Sequence, residues 1–195
     1  MEEYITNIVL WLGNWNYIGI ALLLMIEVIP SEIVLSYGGY LVSTNQIHFL
    51  GALVAGVVGG TLAQLFLYYL GVLGGRPFFE KYGKWLLISQ KHLHASEIWF
   101  ERYGNVVVFF ARFIPIVRHA ISIPAGVSRM NARSFTVYTI GAMIPWTVLF
   151  LLLGMKLGQH WVEIETIAGP YVKPVISFAL FSLLLFFLWN YQKRK

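Results

Sequence analysis

The sequence predicts an all-α integral membrane protein: an inverted repeat of two re-entrant hairpins, each followed by a transmembrane helix, with an interfacial helix before them and a transmembrane helix after them. Three observations predict it. The chain of 195 residues is 58% hydrophobic and only 12% charged, where a soluble domain carries roughly 25% charge. Three apolar runs are long enough, at ~1.5 Å per residue, to approach or cross a ~30 Å hydrocarbon core: Phe49–Leu73, Phe135–Leu153, and Phe178–Trp189 extended upstream by Val175, Ile176 and Ser177. Two further regions share a layout of short apolar arm, proline and short apolar arm, centred on Pro30 and Pro115.

The elements follow in order, all within one membrane domain covering 1–195. Residues 1–16 mix Trp11 and Trp15 with Asn7, Asn14 and Asn16, which suits an interfacial helix with its indoles at headgroup level. The start, Met-Glu-Glu-Tyr, lacks the positive n-region of a secretory signal and is read as mature. In 17–44 the run Tyr17–Ile29 reaches only roughly 20 Å before Pro30, and Ile33–Val42 after it is shorter still. This is the first hairpin, whose irregular backbone must be buried in protein or line water. Residues 49–73 span, and Gly51, Gly56, Gly59 and Gly60 in this run allow close helix approach. Residues 76–104 are polar and read as cytoplasmic amphipathic helices. The second hairpin occupies 106–128, 134–156 spans, Gln159–Tyr171 reads as a loop, and 174–191 is the last span. Gly39 to Gly71 and Gly126 to Gly158 both measure 32 residues, which supports an internal repeat. Transporter folds built from inverted repeats place their site at the midplane, between the halves.

Charge orients the chain. With both hairpins re-entrant, Arg76, Lys81, Lys84, Lys91, Arg102, Arg129, Arg133, Lys193, Arg194 and Lys195 fall on one side, against Lys156 and Lys173 on the other. The positive-inside rule puts the richer side, and the C-terminus, in the cytoplasm. The net charge of +5 therefore reads as loops facing anionic lipid, not as a nucleic-acid surface. Cysteine is absent, and all nine acids are glutamate. Thiolate chemistry is thereby excluded, and metal-ligand options are fewer.

Two arginines and two glutamates lie inside the hairpins: Glu27 and Glu32 flank Pro30, and Arg112 and Arg118 flank Pro115. A charge near the bilayer centre costs about 2.5–3.5 kcal/mol on insertion scales, so such groups pair or line a wet path. A purely structural clamp between the halves would explain the pairing. It would not explain four charges gathered at helix breaks, where apolar side chains hold helices together at lower cost. The alternative is an anion site. Arginine offers a planar fork matched to phosphate and keeps its charge when buried. The glutamates would counterbalance the arginines in the empty site, and a carboxylate in a drier site can take up a proton.

The segment Phe110-Ala-Arg-Phe-Ile-Pro-Ile-Val-Arg118, continuing to Ala125-Gly126 and Met130, resembles the signature of the DedA family, also called the SNARE-associated or VTT-domain family. Glu27-Val-Ile-Pro-Ser-Glu32 with Gly38-Gly39 resembles its first motif, with a single proline and Ser31 before the second acid. The resemblance covers roughly residues 15–160. It implies two inverted re-entrant hairpins and lipid movement between leaflets. Bacterial members are associated with returning undecaprenyl phosphate to the cytoplasmic face, others with phosphatidylethanolamine, and members are linked to the proton motive force. The resemblance puts the essential acids on Glu27 and Glu32 and the essential arginines on Arg112 and Arg118.

The expected function is thus a translocase, not an enzyme, of the bacterial cytoplasmic membrane. It would carry undecaprenyl phosphate for carrier-lipid recycling, with protons as coupling ions and no cofactor, metal or nucleic acid; the sequence leaves the oligomeric state open. Arg112 and Arg118 would bind the phosphate, Glu27 and Glu32 would supply counter-charge or carry protons, and Pro30 and Pro115 would make the breaks. Gln64, His119, Ser122, Gly39 and Gly126 are accessory positions, Gln64 reading first as an inter-helix hydrogen-bonding group. Pro145-Trp146 reads as a kink and anchor, and His92, His94 and Glu97 lack metal-site spacing. A phospholipid scramblase, a polyprenyl diphosphate phosphatase and a small-ion or drug exporter remain as alternatives.

Overall fold

The computed structural model describes residues 2–13, 15–26, 29–82, 106–114, 117–118, 121–174, 177, 181–182 and 185. All regular structure among them is helical. The polar stretch 83–104 and most of the last apolar run lie outside the described residues, as do Glu27, Pro115, His119, His92, His94 and Glu97.

The helices are α1 (Glu2–Gly13), α2 (Asn16–Ile26), α3 (Ser31–Ser43), α4 (Phe49–Tyr82), α5 (Val106–Ala111), α6 (Ser122–Val127), α7 (Ala132–Leu157) and α8 (Ile164–Ile167). Two segments are long and apolar enough to cross a membrane: Phe49–Gly75 with 27 residues and Ala132–Glu163 with 32. At ~1.5 Å per residue α2 and α3 each fall short of a ~30 Å core. The outer face of α4 presents Leu50, Val54, Val58, Leu62 and Phe66, with Leu50 72% exposed. Their four-residue spacing makes one continuous stripe. An apolar stripe of this length has no place in water and fits a lipid surface.

Local chemistry sets the element ends. Pro30 has φ −51°, already suited to a helix entry, and its carbonyl accepts from the amides of Ile33 and Val34. At the exit of α3, Asn45 adopts φ +58°. The Asn45 amide donates to Val42 and the Gln46 amide to Leu41, the paired bonds of a Schellman cap. The exit of α6 repeats that cap, with Arg129 at φ +52° and amides of Arg129 and Met130 donating to Gly126 and Ala125. α7 starts on Asn131, whose Oδ1 accepts from the Arg133 amide at 3.0 Å and the Ser134 amide at 3.3 Å, an Asn N-cap. It ends at Gly158, φ +56°.

The packing is reciprocal. α3 lies along α7, and α6 lies along α4. Glycines make both approaches possible. A Cβ on Gly39 would sit 2.8 Å from the Met155 amide nitrogen and closer still to the Leu151 carbonyl, while Gly154 faces the Ser36 backbone. A Cβ on Gly126 would sit 2.9 Å from the Val72 nitrogen and closer to the Tyr68 carbonyl, while Gly71 faces the Ile123 carbonyl. The pairs are therefore Gly39 with Gly154 and Gly126 with Gly71. Gly158, the counterpart of Gly71 by equal spacing, has open space around it, and Gly154 meets Gly39 in its stead. The contact belongs one helical turn earlier.

Residues 159–171, expected as a loop, are largely helical: a 3-10 segment Gly158–Glu163, then α8, then helix again from 169 to 174. Burial drives this. Trp161 packs edge-on against Tyr37 at 4.9 Å, and Ile164 and Ala168 are buried in the main core with it. The backbone there must satisfy its own polar groups.

Candidate functional site

The site lies where α2, α3, α4, α7 and the α5–α6 connection converge. On α4, Gly56, Gly60 and Gln64 recur every four residues and line a cleft. On α7, Ala142, Met143, Trp146 and Thr147 turn to the same space. These spacings put each set on one helix face. Leu24, Ile29 and Leu35 add an apolar wall, and Arg112 and Arg118 supply the cations. The cleft opens to the exterior and has a cavity volume of about 40 Å³, room for a few water molecules.

Arg118 pairs with Glu32 across the two halves of the sequence. Its Nη2 lies 2.9 Å from Glu32 Oε1 and 3.0 Å from Oε2. The side chains are 11% and 21% exposed, so solvent or a ligand can reach the pair. Ser31 Oγ donates to Glu32 Oε2 at 3.3 Å, and Glu32 occupies the first turn of α3, where the helix dipole favours negative charge. The Arg118 guanidinium also lies over the Trp146 ring, 5.1 Å from its centroid.

Arg112 is held differently. It is 4% exposed, and its Nη1 donates to Gln64 Oε1 and, at 2.8 Å, to the Arg118 carbonyl. Nη2 donates to Ser122 Oγ and Thr139 Oγ1, both at 3.1 Å. Ser122 Oγ in turn donates to Gln64 Oε1 at 2.5 Å, and the Phe135 ring lies 5.4 Å from the guanidinium carbon. One guanidinium thus ties α4, α6, α7 and the backbone of Arg118 together. Charge-assisted bonds of this kind are about twice as strong as neutral ones. Through the Arg118 carbonyl, Arg112 also sets where Arg118 starts.

The structure brings Arg112, Arg118, Glu32, Gln64 and Ser122 together at one cleft. Pro30 opens α3 beside it, and Gly39 and Gly126 act away from it, as packing contacts. Sequence reasoning missed Thr139 and took Trp146 for an anchor. They stand seven residues apart, two turns on one face of α7. That spacing, with Gln64 four residues after Gly60, was the available signal.

Gln64 accepts two hydrogen bonds that nothing apolar can replace. A Gln64→Leu variant is expected to lose about 2–4 kcal/mol, because a buried cation and a hydroxyl each lose an acceptor. Thermal unfolding in detergent measures it, and an unchanged midpoint would show that the socket does not depend on Gln64.

The VTT domain profile matches residues 29–156. The chain is 55% identical over 188 residues to undecaprenyl phosphate transporter A of Bacillus subtilis (strain 168), covering 96% of this chain and 95% of that protein. It is 30% identical over 203 residues to undecaprenyl phosphate transporter A of Staphylococcus aureus (strain NCTC 8325 / PS 47), covering 100% and 98%. It is 32% identical over 203 residues to an alkaline phosphatase-like protein of Lactococcus lactis subsp. lactis (strain IL1403), covering 100% and 94%. No solved structure matches it.

Proposed function

The chain belongs to the VTT-domain family, and from that premise we propose that it is a lipid translocase carrying undecaprenyl phosphate across the bacterial cytoplasmic membrane. The observation that carries the reading is the Arg118–Glu32 pair at the mouth of an apolar-walled cleft. The near full-length likeness to two undecaprenyl phosphate transporters supports the same substrate.

The mechanism is an exchange of anions on one cation. In the empty site Glu32 neutralises Arg118. A phosphate headgroup entering the cleft offers the same guanidinium two or three oxygens, which its donor fork can hold bidentately as it can a carboxylate. The displaced Glu32 takes a proton, which removes the like-charge repulsion between carboxylate and phosphate. Arg112 stays in its socket, adds positive potential and holds the Arg118 backbone. The isoprenoid tail remains in lipid beside the cleft, so only the headgroup has to leave its hydration. Glu27 serves with Glu32 as counter-charge or proton carrier in this scheme.

The reciprocal packing of α3 on α7 and α6 on α4 supports an inverted repeat with two re-entrant hairpins, 17–44 and 106–128. In this reading Pro30 and Pro115 are the breaks between the arms. Opposed hairpins give the headgroup an entry from each leaflet. The charge distribution along the chain supports a cytoplasmic C-terminus.

Purified protein in proteoliposomes tests the proposal. Undecaprenyl phosphate and phosphatidylethanolamine are followed side by side, with and without a pH gradient, and released phosphate is assayed with a polyprenyl diphosphate. Selective movement of the prenyl phosphate supports a carrier-lipid translocase. Equal movement of both lipids regardless of gradient makes the protein a scramblase, and phosphate release makes it a phosphatase. Glu32→Gln keeps the shape but not the charge, and is expected to abolish most of the response to the gradient. A full response in that variant would leave Glu32 a structural partner only.

A further inference from the structure

Trp146 lines the cleft, and its chemistry exceeds that of an anchor. It is 5% exposed, on the face of α7 that also carries Met143 and Thr147 toward the cleft. Phe113 and Phe150 pack on its ring at 6.5 and 5.0 Å, and Arg118 lies over it. Among the described residues nothing accepts a hydrogen bond from its Nε1–H. A buried donor left without an acceptor costs about 1–3 kcal/mol, so natural proteins keep few of them, and each calls for an explanation. A phenylalanine in the same place would give the ring contacts without that cost.

The indole is a donor and never an acceptor. It therefore suits an oxyanion and gives nothing to a second cation. Its face attracts the Arg118 guanidinium through the ring quadrupole, and this attraction does not depend on which anion Arg118 holds. The two properties together describe a platform on which an arginine can change partners without losing its position.

We propose that Trp146 is a ligand-contacting residue of the translocation site: its ring holds the Arg118 guanidinium while Glu32 is exchanged for a phosphate monoester, and its indole N–H donates to an oxygen of that phosphate. The proposal rests on the reading that a lipid phosphate occupies this cleft. It adds a third donor group to those that sequence alone nominates.

Trp146→Phe keeps an aromatic platform and removes the N–H. Its expected effect in proteoliposomes is a rise of about tenfold in the apparent KM for undecaprenyl phosphate, the worth of one hydrogen bond to a charged group, with the maximal rate within about twofold. Trp146→Leu removes the platform as well and is expected to lower the maximal rate too. An independent readout is the indole 15N–1H resonance of Trp146 in micelles, assigned by its loss in Trp146→Phe. Farnesyl phosphate is expected to shift that resonance downfield, and farnesol is expected to leave it in place. Inorganic phosphate distinguishes a site for any phosphate, which also shifts the resonance, from one that needs the lipid tail, which does not respond to it.

An indole resonance that ignores farnesyl phosphate, or that moves equally with farnesol, overturns the proposal, as does an unchanged KM in Trp146→Phe. These outcomes stand apart from the functional reading. Transport of undecaprenyl phosphate by the native protein with a silent indole removes the role of Trp146 alone. A responsive indole in a protein that moves no prenyl phosphate removes the transport reading and keeps the anion contact.

Discussion

An Arg118→Ala variant is expected to lose transport of undecaprenyl phosphate by about 100-fold. The size follows from the bond removed. Charge-assisted hydrogen bonds are worth about 1.5–3 kcal/mol, and each ~1.4 kcal/mol is a factor of ten. Stability also falls, because Glu32 loses the cation that sits 2.9 Å from its Oε1. Breaking a fully buried pair costs about 3–5 kcal/mol; here both side chains keep some exposure, so a loss of roughly 1–3 kcal/mol is expected. A double variant, Arg118→Ala with Glu32→Gln, separates the two effects. Removing both charges is expected to restore the unfolding midpoint and leave transport absent. Transport that returns with stability would mean that the pair is only a clamp. Arg118→Lys is expected to sit near the alanine variant, because a point charge lacks the planar fork that lies over the Trp146 ring.

The second large effect is structural. Gly126→Ala is expected to lower the thermal midpoint by about 10 °C, for a chain in which each ~1 kcal/mol moves it by ~2–4 °C. The added methyl meets backbone, not a flexible side chain: the Val72 nitrogen at 2.9 Å, the Gly71 Cα at 3.0 Å and the Tyr68 carbonyl nearer still. α6 must then separate from α4, and the Tyr68 hydroxyl bond to the Met130 carbonyl goes with it. Gly169→Ala is the control. Its Cβ has nothing within 4 Å, and its midpoint is expected to stay within about 2 °C. A Gly126→Ala protein as stable as that control would mean that the α4–α6 approach is looser than its geometry.

Much of the architecture was legible before folding, because its signals are local. Length and apolarity alone mark 49–73 and 134–156 as spans, and the structure has helices long and apolar enough to cross a membrane over Phe49–Gly75 and Ala132–Glu163. Proline at 30, followed by Ser31 and Glu32, writes a helix start into the chain. The four charges beside Pro30 and Pro115 stand out in the sequence because buried charge is costly in hydrocarbon, whatever the partner. The loop expected at 159–171 failed for the opposite reason. Gln159, His160, Glu163 and Glu165 make it look polar, and only packing of Trp161 and Ile164 into the α3–α7 core turns it helical.

Composition, apolar periodicity and charge placement thus determine, from the chain alone, that this is a helical membrane protein with arginines and glutamates placed beside two prolines. They cannot choose partners, since Glu32 and Arg118 are 86 positions apart and each charge has several candidates of opposite sign. Folding made that choice. It set Arg118 against Glu32 on the ring of Trp146, and gave Arg112 to Gln64, Ser122 and Thr139. It also matched Gly126 with Gly71 and Gly39 with Gly154. Each of these depends on the distance between backbones from different helices, a quantity that no stretch of sequence contains.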